Sequence, residues 1–228
     1  MMHLYGHLYY DTAVNVIRNV IHLPKFPYTS KKRIYTSMLI KEQPLAEFQY
    51  PTLDWKNIWS NYTSVPIFSF DKEIIYKHLH ICLATNNRLF TMNLSDTSKC
   101  PMCTSNREQT PLHMFYECDS VKPLFMWLLR VIYYLCWYEP ESNIRFIYLD
   151  NKYSSTMQGK ISNLFISSYI LTIWRTRKEN LRIGIMKSRI LSKVTQTIDT
   201  IKQIPNISRK KDIGDCLDEI DFTDLLVK

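Results

Sequence analysis

Apolar residues recur every three or four positions along most of this chain, a period that predicts helices. Val14, Ile17, Val20 and Ile21 set such a face within residues 1–23, and Pro24 and Pro27 stop it. Residues 31–40, KKRIYTSMLI, predict a second short helix, and Pro44 and Pro51 bracket a connector. Asp54 stands where it can cap a helix carrying Trp55, Ile58 and Trp59, and Pro66 breaks the chain again. Asp71 occupies a similar cap position before KEIIYKHLHICLA, with Ile75, Leu79 and Cys82 on one face. Residues 84–99 are polar and turn-like at both ends. Asp119 or Ser120 then caps a strongly apolar helix, with Pro123 in its first turn and its end near Tyr138. IRFIYL, at 144–149, reads as a short strand. From Gln158 to about Ile204 the helical period returns in Leu164, Leu171, Trp174, Leu181 and Ile185, with a place to break at Gly184. The pattern as a whole predicts a mostly α fold. It has an N-terminal helical and connector segment (1–50), a helical core (51–140), a C-terminal helical region (141–207) and a charged tail (208–228) that frays.

Composition narrows this picture. The chain has 228 residues and only four glycines, too few for a turn-rich β barrel or for Gly-rich phosphate loops. Lys and Arg number 29 against 21 Asp and Glu, for a net charge of +8. From Asp212 onward six acids meet one base, Lys228, so the rest of the chain carries 28 bases against 15 acids, or +13. A basic body of this kind suits an anionic partner such as RNA or DNA. The N-terminus lacks the pattern of a secretory signal. The apolar run at 124–138 is too short to span a bilayer and contains Arg130. These features predict an intracellular protein, nuclear or cytoplasmic, with reduced cysteines and no membrane partner.

In a reduced chain, clustered cysteines point to metal. The segment CPMCTSNREQTPLHMFYEC holds Cys100, Cys103, His113 and Cys118 at the spacing C-x2-C-x9-H-x4-C. Three thiolates and one imidazole are a donor set that zinc takes as a closed tetrahedron, with no position left for water. We therefore read one structural Zn2+ in a zinc-knuckle-like segment that joins helices. Cys82 and Cys136 read as core residues. Of the neighbouring histidines, His80 is expected to pack or bond locally and His78 to be exposed. Tyr133, Tyr134, Trp137 and Tyr138 offer faces for bases, but their helical spacing favours core.

The second candidate is a row of cations: Arg175, Lys178, Arg182, Arg189 and Lys193 recur at spacings that share one face of an unbroken helix. Such a row suits a phosphate backbone, since each contact releases counterions, and it equally suits a solvated outer face. The shorter runs KKR (31–33) and RKK (209–211) carry less weight. No Ser-His-Asp, Cys-His or paired-carboxylate arrangement follows from the spacing, so no catalytic residue is assigned and no enzyme is expected. The acidic tail is expected to be loose, with docking on a partner or on the basic face as alternatives.

The surrounding residues carry a resemblance. DWKNIW at 54–59 is followed by Tyr76, Leu79 and His80, and then by ATNNRL at 84–89. Next come Cys100-Pro101-x-Cys103, Glu108 and Thr110, and then His113, Phe115 and Cys118. Trp127 lies on the next helix, with Ile173, Trp174 and Arg177 further on. Over roughly residues 50–180 this order resembles the zinc-binding region C-terminal to the reverse transcriptase in non-LTR (LINE-type) retrotransposon polyproteins. The chain departs from that pattern by Gln109, inserted between the acid and the threonine, and it has no Asp-Asp pair for polymerase metals. The resemblance implies a non-catalytic accessory domain, truncated or stand-alone, that handles RNA or DNA beside other retrotransposon or host proteins. A zinc-stapled protein-interaction scaffold, or an inactive remnant, is the alternative.

Overall fold

The computed structural model describes residues 45–137, 144–153, 155–179, 182–203 and 225. The expected helices within 1–40, the runs at 31–33 and 209–211, Tyr138 and the tail acids lie outside these residues. The chain divides into two compact units, Met1–Gln43 and Pro44–Lys228, and the described residues all lie in the second. Its helices are α1 (Leu45–Gln49), α2 (Trp55–Ser64), α3 (Ser69–Leu79) and α4 (Asn86–Thr91). A π-helical turn, His113–Glu117, precedes α5 (Lys122–Cys136). α6 (Ile144–Ile147), α7 (Met157–Thr176) and α8 (Ile183–Gln203) complete the unit. The fold is mostly α, and among the described residues the β pairing is one isolated bridge between Lys99 and Glu108. Among them, too, no helix is long and apolar enough to cross a membrane.

α7 is the centre. Its sequence is apolar or small on every side, so it can be covered all round. Ile161, Leu164, Phe165, Ile166, Tyr169, Ile170 and Ile173 are all buried. α2, α3, the π turn, α5, α6 and α8 pack around it. Thr156 starts it, its Oγ1 accepting from Gly159 N at 3.1 Å.

The helical period of 158–204 does not continue as one rod. α7 stops at Thr176 and α8 begins at Ile183. The residues between carry Arg177, Lys178 and Glu179, with no apolar position to bury until Leu181. The chain folds back there, and α8 packs along α7.

Other expectations are corrected. Asp54 does cap α2, accepting from Asn57 N at 3.0 Å. Asp71 does not cap α3, which starts at Ser69; it is buried in the first turn and binds cations of α7 and α8. α5 begins after Val121 with no side-chain cap, so neither Asp119 nor Ser120 serves. IRFIYL is a short helix, not a strand. It ends in a turn with Leu149 at φ 61, and Asn61 Nδ2 holds the Leu149 carbonyl at 2.7 Å. Met126, Tyr133 and Trp137 share an outer face of α5, and Trp137 is 88 % exposed, so these aromatics are not core. Cys82 lies beyond the end of α3 and is half-buried, whereas Cys136 is buried. In the tail, Leu225 is fully buried and its carbonyl accepts from Trp127 Nε1 at 2.7 Å, so at that position the chain is not frayed.

His78 is likewise not exposed; no part of it reaches solvent. It stacks on Tyr148, meets the edge of Phe115, and its Nε2–H donates to the Ile147 carbonyl at 3.0 Å. His80, half-buried, packs against Trp59 and Tyr76 as expected. Burial lowers the His78 pKa from 6.5 to about 4, against a smaller opposite pull from its bond to Ile147. Between those values the unfolded chain binds a proton that the folded protein refuses. Stability is therefore intact above pH 6.5 and falls as the pH drops toward 4, by about 3 kcal/mol at the bottom of the window. Replacing His78→Gln, which keeps an amide donor for Ile147, should remove that part of the slope. Urea melts of both proteins across the window check this, since the metal ligands contribute equally to each. An identical slope in the variant would exclude His78 as its source.

Candidate metal centre

The segment between α4 and α5 is built in two halves. In the first, Lys99 bridges to Glu108, Cys100 N donates to the Arg107 carbonyl at 2.8 Å, and Gln109 N donates to the Ser98 carbonyl at 2.8 Å. This small antiparallel clasp presents Cys100 and Cys103 from one tight turn. The second half is the π turn. Residues five apart lie about 140° apart on an α-helix and would face different ways. The wider turn brings them round, and Cys118 N bonds the His113 carbonyl at 2.8 Å. Thr110 Oγ1 caps its start, accepting from His113 N at 3.1 Å. Tyr169 of α7 fixes its middle through the Phe115 carbonyl at 2.7 Å.

The two halves meet. The three sulfurs and one ring nitrogen all lie within 4.8 Å of one another, and Cys103 Sγ is 3.4 Å from His113 Nε2. Sulfurs bound to one tetrahedral zinc stand roughly 3.8 Å apart, so little closure is needed. Cys100, His113 and Cys118 are buried and Cys103 is half-buried. Among the described residues this is the one group of three or more His, Cys, Asp or Glu side chains whose ligand atoms converge. The quartet proposed from spacing is thus brought together and can hold a metal ion.

The protonation of the group fits that role. Cys118 is a hydrogen-bond partner of Cys100, which pulls the Cys100 pKa down and pushes that of Cys118 up. The two sulfurs thus lie close enough to hydrogen-bond, and a cation bound between them would favour both as thiolates. Burial lowers the His113 pKa, which favours the neutral ring with Nε2 free to donate its lone pair.

Gln109 is a residue whose part the sequence did not suggest. It is 1 % exposed, and its Oε1 accepts from Asn86 N, the first residue of α4, at 2.9 Å. Asn86 Nδ2 in turn donates to the Lys99 carbonyl, and Asn87 Nδ2 to Glu108. Gln109 thereby ties the clasp to α4. One glutamine in a polar loop carries no sequence signal of this.

The five cations do not share one helix face. Arg175 ends α7, Lys178 lies in the connection, Arg182 precedes α8, and Arg189 and Lys193 stand on α8. Three of them already have acidic partners. Arg175 and Lys193 both bind the buried Asp71, the latter at 2.5 Å, and Arg189 meets Glu179 at 2.9 Å. Lys178 and Arg182 are exposed and form no ion pair among the described residues. Ile185, assigned to the buried side, is 45 % exposed.

No family model, no curated protein and no solved structure matches this chain.

Proposed function

We propose that the chain is a non-catalytic accessory module, held by one structural Zn2+, that binds the phosphate backbone of RNA or DNA. It is the role implied by the resemblance to the LINE-type zinc-binding region. The observation that carries it is the α7–α8 turn. From Arg175 to Lys193 the chain has seven bases and one acid, Glu179. Folding back gathers them on the end of α7, the connection and the first half of α8, a more compact positive field than a single straight helix provides. The zinc, on Cys100, Cys103, His113 and Cys118, supplies rigidity. It fixes the clasp to the π turn, which Tyr169 in turn holds to α7.

The test is binding of the zinc-loaded protein to a single-stranded RNA and to a DNA duplex across a salt series. Affinity should fall steeply with salt. The Lys178→Ala, Arg182→Ala double variant should flatten the slope of log affinity against log salt by about 1.4 to 1.8. An unchanged slope would remove this turn from the interface. The exposed Met126, Tyr133 and Trp137 favour a second reading, a scaffold that captures a protein on α5. Salt-insensitive, weak nucleic-acid binding would select it.

A further inference from the structure

Between α7 and α8 lies a cleft of about 410 Å³. α8 presents Arg189, Ser192, Lys193 and Gln196 to it, residues three and four apart on one face, and α7 presents Arg175. Leu171 and Ile185 add apolar lining, and two of the cations are anchored from behind. Asp71, only 1 % exposed, holds both Arg175 and Lys193, and these cations also lie over the rings of Phe70 and Phe68. Fixing them beforehand removes part of the entropy cost of binding an anion. Thr172, Thr176 and Ser188 also line the cleft, but their hydroxyls already donate to helix carbonyls.

We propose that this cleft binds a terminal phosphate, a phosphomonoester, carried either by the end of a nucleic-acid strand or by a small phosphorylated molecule. The charge balance selects the ester. Once Arg189 leaves Glu179, three cations against one buried carboxylate leave about two positive charges. A phosphomonoester carries about −1.5 to −2 at neutral pH. A backbone diester carries half of that and is met as well by exposed lysines outside the cleft. Arg189 is the movable member. Its partner Glu179 is exposed, so the pair is screened and parts at little cost. The strand-end source rests on the nucleic-acid reading above; the pocket itself does not.

The experiment uses the full zinc-loaded chain and two single strands of one sequence, one terminally phosphorylated and one ending in hydroxyl. The phosphorylated strand should bind at least roughly tenfold more tightly. Inorganic phosphate should compete that advantage away. Arg189→Gln should abolish it without moving the melting temperature, and Glu179→Gln should widen it. If the two strands bind equally and inorganic phosphate has no effect, the pocket is overturned while the backbone grip stands. If a phosphorylated mononucleotide binds as well as the strand, and binding by the hydroxyl strand is absent, the pocket stands and the backbone grip falls. Retention of the full advantage in Arg189→Gln also overturns the proposal.

Discussion

Cys103→Ser is expected to release the metal and lower the melting temperature in one step. Cys103 is the least buried of the four donors, so exchanging its sulfur for oxygen disturbs little packing. What is lost is the ion. Structural zinc in isolated finger peptides contributes on the order of 10 kcal/mol to folding. This protein also has a core around α7, so a loss of several kcal/mol, with a folded but weakened remainder, is the expected outcome. Metal content and a thermal melt, measured on the same sample, check it. A chelator added to the unaltered protein should reproduce the shift. Cys82→Ser, outside the cluster, should change neither quantity. Retained metal with an unchanged melt in Cys103→Ser would remove that residue from the site.

Asp71→Ala is expected to cost about 3 kcal/mol, the range for breaking a buried ion pair by removing one partner. The carboxylate is nearly inaccessible and faces two cations, so its loss leaves both without compensation. They do not suffer equally. The side chain of Arg175 is 41 % exposed and finds water, whereas that of Lys193 is 15 % exposed and bears most of the penalty. Adding Lys193→Met to Asp71→Ala should therefore recover part of the loss, and adding Arg175→Met should recover less. Urea unfolding of the four proteins measures this. Equal recovery from the two additions would show that burial does not set the cost. The same variants should weaken the phosphate advantage, because the fixed cations of the cleft lose their anchor.

The apolar period placed α2, α5 and the start of α7 well but not the end of α7, and spacing alone assembled the quartet that can hold a metal. His78 shows where polarity misled. Positions 75, 78 and 79 share a helix face, and two of them are buried aliphatics. Periodicity put the histidine in the core, and a carbonyl from α6 satisfied its Nε2 there. The cations failed for a different reason. Their alignment assumed an unbroken helix, and the charged connection after Thr176 offered nothing to bury, so the chain turned instead. Tyr133 and Trp137 were assigned to the core by helical spacing beside Leu128 and Leu129, yet they share a face with Arg130 and Met126, which already marked that side as outer. The π turn and the Gln109 tie were not legible. Both depend on hydrogen bonds between segments, and neither residue type is unusual for a loop.

As the chain leaves the ribosome, α2, α3, the metal segment and α5 all emerge before the helix whose circumference they cover. Until α7 is out, Ile75, Phe115 and Trp127 have no central helix to close on, and their apolar surfaces meet water or a chaperone. The four metal donors, by contrast, are complete once Cys118 has been added. A metal gathered at that stage would hold the early elements together through the wait, a service to the growing chain as much as to the finished one.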